Sequence, residues 1–305
     1  MPSKTKTKSP KPATKKRIGT DILVAVVLDR SGSMQSVCDS TIAGYNAYLA
    51  ELAGKGETKY SITATLFDAP MRSIELSTLC VNAPLAQAIR LSRENYEPRG
   101  WTPLYDAIGL TIRATESAAA GRPVVMMIVT DGQENASHEF TSDSIKKLIA
   151  EKEKDGWTFV FMGANIDSYH VGTTLGVSAK NIANYAPGFE QVAFTMACSG
   201  TKSYASNRIA TRSLRQASDE GFFDHLAKDD KGQVTIGAPD PAGVPSQWIN
   251  NQPLTSTGGA PVPDLAPRNP VHNFAPLYMH IPFVTGTTVT PRPTTKGSRE
   301  HRPLK

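Results

Sequence analysis

The sequence has little cysteine, few aromatic residues and no long apolar run. Its three cysteines, Cys38, Cys80 and Cys198, are odd in number and scattered through 305 residues. That argues against a disulfide framework and fits a reducing compartment. No Cys/His cluster has zinc-like spacing. The longest apolar stretches, Ile22–Leu28 and Val124–Val129, are far short of the roughly 18 residues a membrane helix needs. The lysines at the amino end are not followed by an apolar stretch, so no signal-peptide pattern is read there. The expected location is cytoplasmic, without membrane contact. What is present, 39% hydrophobic residues, is enough for one sizeable core or two small ones.

Charge is unevenly spread. Residues 1–17 hold seven Lys/Arg and no acid, and residues 238–305 hold six Lys/Arg and three Asp/Glu. Of the chain's 33 bases and 28 acids, residues 18–237 therefore keep 20 and 25, a net charge of −5 between basic flanks. The overall +5 belongs to the flanks and does not make the middle a nucleic-acid binder.

The basic leader, 1–17, has no large apolar side chain and is expected to be disordered. Residues 238–305 carry 13 of the 22 prolines, which remove backbone donors, so this part reads as an extended tail. Its Phe274–Val284 stretch is apolar enough to dock on the core or on a partner. The domain proper is placed at 18–215, with 216–237 as a connecting segment. Within it, Asp21–Asp29, Pro123–Asp131 and Trp157–Gly163 are unbroken apolar runs, as in a parallel sheet covered on both faces. Tyr60–Phe67 and Arg72–Leu76 alternate and are separated by only four residues, which predicts an antiparallel edge strand. Helical periodicity is read at 37–53, 103–120 and 142–154, with shorter helices at 168–175 and 188–206. The fold class is α/β: a doubly wound, mostly parallel sheet, Rossmann-like, with one antiparallel edge strand and helices on both faces.

In such a sheet, ligands sit at the carboxyl ends of the strands. The acids lie there too. The first strand runs into Asp29-Arg-Ser31-Gly-Ser33, the strand at 124–130 runs into Asp131-Gly-Gln-Glu-Asn, and Gly100-Trp-Thr102-Pro-Leu opens a helix between them. If the three loops converge, they present two carboxylates and three hydroxyls to one point. Oxygen-only ligation selects a hard cation. Mg²⁺ is typically held by one or two carboxylates while keeping waters. Such a metal, with an open position and no neighbouring base, is a docking point for an acidic group on a partner.

These three segments resemble the motifs of von Willebrand factor type A domains, most of all the free-standing versions of bacteria and their phages. The resemblance covers about residues 20–215, including Gly163–Asp167. It implies a metal-ion-dependent adhesion site with Asp29, Ser31, Ser33, Thr102 and Asp131 as ligands of Mg²⁺ or Mn²⁺, some direct and some through water. It implies a non-enzymatic protein-interaction module whose partner supplies an acidic residue. Trp101 departs from the family, where a small residue is more usual, and puts an aromatic beside the metal.

Each motif also has a plainer reading. Asp29-x-Ser-x-Ser is a turn sequence. Thr102, Pro103 and Asp106 read as a helix N-cap with its box. Asp68 is either behind the site or the start of a turn with Pro70, and Glu134 and Asn135 either line the rim or are solvated. His138 and His170 are isolated and read as surface or packing residues. Two other functions stay open. A metal-dependent hydrolase needs a general base, for which Glu134 is the candidate. A nucleic-acid-associated scaffold would use weak, salt-sensitive contacts from residues 1–17.

Overall fold

A computed structural model describes residues 21–54, 58–72, 74–164, 166–211 and 221–237. The leader 1–17, the tail 238–305 with its Phe274–Val284 stretch, and residue 165 of the 163–167 run lie outside the described residues.

The elements in chain order are β1 (Asp21–Asp29), a 3-10 turn (Gly32–Val37), α1 (Cys38–Leu52), β2 (Lys59–Asp68), β3 (Glu75–Pro84), α2 (Leu104–Ala119), β4 (Val124–Thr130), α3 (Ser142–Lys154), β5 (Trp157–Ala164), α4 (Ser168–Thr174), β6 (Ile182–Tyr185), α5 (Glu190–Thr211) and β7 (Val234–Ile236). The strands form one sheet in the order β3-β2-β1-β4-β5-β6-β7. Every neighbouring pair is parallel except β2 with β3. This is the doubly wound sheet with an antiparallel edge that the sequence predicts.

The continuous apolar runs are buried on both faces, as expected. In β1, Ile22, Val24, Val26 and Leu28 join a core with Tyr45, Tyr48 and Leu49 of α1 and Phe194 of α5. Leu23, Ala25 and Val27 join a second core with Ile108 and Ile112 of α2, Ile145 and Ile149 of α3 and Tyr169 of α4. Each strand residue thus serves one layer or the other, by the period of two. Along α2, Leu104, Ala107, Ile108, Thr111, Ile112 and Thr115 share one face by helical spacing, and that face is buried throughout.

Three differences have local causes. The edge strand starts at Glu75 rather than Arg72, because Pro70 has no N–H and Met71 takes φ 49°, which turn the chain first. The short strands β6 and β7, four and three residues long, were not read from the sequence. Windows that small carry almost no periodicity. The segment 216–237, read as a connection, contributes β7 to the sheet edge through its pairing with β6.

From β1 the chain steps to β2 on one side and later to β4 on the other. The strand order therefore reverses between β1 and β4, and a crevice opens outside their carboxyl ends.

Candidate metal centre

Asp29 is the last residue of β1, and Asp131 follows the last residue of β4. Asp29 is fully buried. Its Oδ1 accepts from the Ser31 N–H at 2.6 Å, and its Oδ2 accepts from Thr130 Oγ1 at 2.5 Å. The first bond makes the turn that the plainer reading foresaw. The turn also brings Ser31 Oγ to 3.1 Å from Ser33 Oγ, and Ser33 Oγ donates to Asp131 Oδ1 at 2.6 Å. A continuous chain of oxygens thus runs from the end of β1 to the end of β4.

Thr102 closes the ring. The helix-cap reading of Thr102 does not hold: the N-cap of α2 is Pro103, with no side-chain cap bond. A Cβ placed on Gly132 would lie 2.8 Å from Thr102 Oγ1 and 3.3 Å from Ser33 Oγ, so both hydroxyls face one point that only a glycine leaves open. Asp29, Ser31, Ser33, Thr102 and Asp131 are therefore brought together. Ser31, Thr102 and Asp131 are buried while Ser33 is exposed, so the cluster opens outward at Ser33.

Its electrostatics are those of a site short of positive charge. Burial pushes the Asp29 carboxyl up to about 7, against the hydrogen bonds from Thr130 and Ser31, and the charge of Asp131 adds to the rise. Asp131 is also raised, by burial first and further by the charge of Glu190. Among the described residues neither carboxylate has an ion-pair partner. Two like charges, three hydroxyls and a cradle without a Cβ are the donor set that fits a hard divalent cation. Among the described residues no three His, Cys, Asp or Glu side chains converge to hold a metal, so a cation here rests on hydroxyls as well as carboxylates.

The flanking residues hold the loops. Asp68, fully buried at the end of β2, takes Arg30 Nη2 at 2.7 Å and Arg99 Nε at 2.7 Å. It ties the first loop to the one carrying Thr102. Asn135 Oδ1 accepts from the Thr102 N–H at 2.8 Å, and the Asn135 N–H donates to the Thr102 carbonyl at 3.1 Å. Glu134 accepts from the N–H groups of Tyr105, Ala136 and Ser137 and from Ser137 Oγ. It caps α2 from another loop. Asp106 accepts from the N–H groups of His138, Glu139 and Phe140, so it organises that loop rather than completing a capping box. Trp101 pairs its backbone with Ala69 in a short antiparallel bridge and stays 48% exposed.

Three participants were not singled out from the sequence. Thr130 was quoted only as part of its motif. Tyr96, whose hydroxyl donates to the Asp29 carbonyl at 2.6 Å, lies 67 residues from it in sequence. Glu190, buried at the start of α5 and accepting from Ser40 Oγ, is set beside Asp131 by the packing of α5 on α1. None carries a local signal.

No protein-family profile and no curated protein matches the sequence. Solved structures similar to it include a von Willebrand factor type A protein from Catenulispora acidiphila (10% identity, 60% of this chain and 43% of that one, TM-score 0.42). A second is proximal thread matrix protein 1 from the mussel byssus, with a zinc-occupied MIDAS motif (12%, 59% and 47%, 0.42). A third is the manganese-loaded TRAP protein of Plasmodium vivax (14%, 57% and 72%, 0.43). The chain spans less than half the length of the first two. Among the described residues no helix is long and apolar enough to cross a membrane.

Proposed function

We propose that this chain is a divalent-metal-dependent protein-interaction module of the von Willebrand factor A type. In this reading Asp29, Ser31, Ser33, Thr102 and Asp131 hold Mg²⁺ or Mn²⁺, and an acidic residue of a protein partner completes the metal shell. When bound, the cation supplies a Lewis-acidic point that accepts a carboxylate. The chain's own residues do the rest. Asp29 and Asp131 balance the charge, the three hydroxyls fix the geometry, and Asp68, Asn135 and Glu134 hold the loops in register. The observation that carries the reading is the cradle at Gly132, where hydroxyls from two distant loops face one open point beside two carboxylates that have no ion-pair partner among the described residues.

The hydrolase alternative needs a free general base. Glu134, its candidate, already accepts four hydrogen bonds, three of them from backbone N–H groups. That favours a binding role. A capture experiment with the full chain, done in Mg²⁺ and again in EDTA, tests the reading. Partners retained only in Mg²⁺, and lost with Asp131→Asn, support it. Partners retained equally in EDTA contradict it.

A further inference from the structure

Beside the cradle lies a buried acid that the proposed function leaves idle. Glu190 is fully buried at the start of α5. Both its oxygens are occupied: Oε2 accepts from Ser40 Oγ at 2.5 Å, and Oε1 accepts from the Gly188 N–H at 3.1 Å. Among the described residues it has no ion-pair partner. Burying a charge is costly unless an opposite charge is near.

The sheet sets this acid near the two aspartates. Thr130 pairs with Gly163, and Ala164 pairs with Tyr185. Asp131, next after Thr130, therefore continues the cross-strand row of Ala164 and Tyr185. Val129, Ala164 and Tyr185 face the core that α1 and α5 cover. Asp131, two residues past Val129, turns to the same side by the period of two. On that side α5 packs against α1 and carries Glu190 to Ser40. The Tyr185 hydroxyl is buried and has no hydrogen-bond partner among the described residues. Burial first, and then the charges of Glu190, Asp131 and Asp29, push its pKa well up. Three carboxylates thus bear on one buried region. Asp29 and Asp131 match the charge of a divalent ion, and Glu190 is one charge more.

We propose that Glu190 belongs to the metal centre as a charge rather than a ligand, and that this excess charge retains the cation when no partner acid is bound. This rests on the metal reading above. The valence of the bound ion reports the excess, because each unit of charge added to the ion adds one unit of attraction to Glu190. Salt screens such a buried interaction little. The test measures the affinities of the full chain for Tb³⁺ and Mn²⁺, by Tb³⁺ luminescence and its displacement by Mn²⁺. The wild type binds Tb³⁺ at least tenfold tighter than Mn²⁺, and this ratio falls at least threefold in Glu190→Gln. Ser40→Ala removes a hydrogen bond of Glu190 but keeps its charge, and it leaves the ratio within a factor of two. Because the ratio compares two ions on one protein, a general loosening of the site cancels from it. Tb³⁺ binding no tighter than Mn²⁺ in the wild type, a ratio unmoved in Glu190→Gln, or an equal fall in Ser40→Ala overturns the proposal. If both ions bind the wild type and are lost with Asp131→Asn, while Glu190→Gln moves nothing, the metal site stands and the role of Glu190 falls. If neither ion binds the wild type, the metal reading falls and takes the proposal with it.

Discussion

Gly132 is the residue on which the cradle turns. An added methyl would stand between Thr102 Oγ1 and Ser33 Oγ, in the space assigned to the cation's shell. Gly132→Ala is therefore expected to lower Mn²⁺ affinity at least tenfold in calorimetry. Its urea midpoint should fall far less than its Mn²⁺ affinity, because the clash is with two hydroxyl-bearing side chains rather than backbone, and one of them, Ser33, is exposed. Asp68 behaves in the opposite way. It is buried under two arginines, and Asp68→Ala leaves Arg30 buried without its carboxylate. Removing one partner of a buried pair costs about 3–5 kcal/mol, and urea unfolding monitored by circular dichroism should register a loss of that order. The two residues also differ in legibility. Asp29, Ser31 and Ser33 could be read because a turn places them together locally, and Thr102 and Asp131 because each follows a clear boundary of a strand or helix. The work of Asp68 and Asp106 could not, since their partners lie 31 to 38 residues away and are set by loop packing, nor could the bond from Glu134 to the Tyr105 N–H, 29 residues away.

At the scale of elements, α1 and α5 meet at Gly44. A Cβ there would come within 2.6 Å of the Phe194 ring and 3.1 Å of the α5 backbone. Gly44→Ala should thus push the helices apart and destabilise the fold by about 1–3 kcal/mol, the usual cost of overpacking, read as a lower urea midpoint. Nothing in the local sequence marks this glycine as a contact. It becomes one because α5, 146 residues further on, crosses α1 there. The long elements, by contrast, were visible in advance. The apolar run of β1 and the stripe from Leu104 to Thr115 in α2 each exceed the period they express, so tertiary packing had no cause to override them. The elements missed, β6 and β7, are held by their neighbours in the sheet rather than by their own pattern.

For the whole molecule, the site lies where the strand order reverses between β1 and β4. In the proposed reading, a metal there would tie the ends of two central strands to the entrance of α2. A ligand that binds only the folded form stabilises it by about 2.7 kcal/mol when present at a hundred times its Kd. For a domain of this size, that is roughly a 5–10 °C rise in Tm. Mn²⁺ should produce such a rise, and EDTA should reverse it. The cysteines agree with a fold that does not depend on disulfides: Cys38, Cys80 and Cys198 are free thiols, and burial pushes the pKa of each upward, Cys198 to about 12. The most direct test of the account is isothermal titration of Mn²⁺ into the wild-type chain and into Asp131→Asn, with circular dichroism on both. The account predicts one saturable site in the wild type, none in the variant, and superimposable spectra. Equal Mn²⁺ affinity in the two proteins would contradict it.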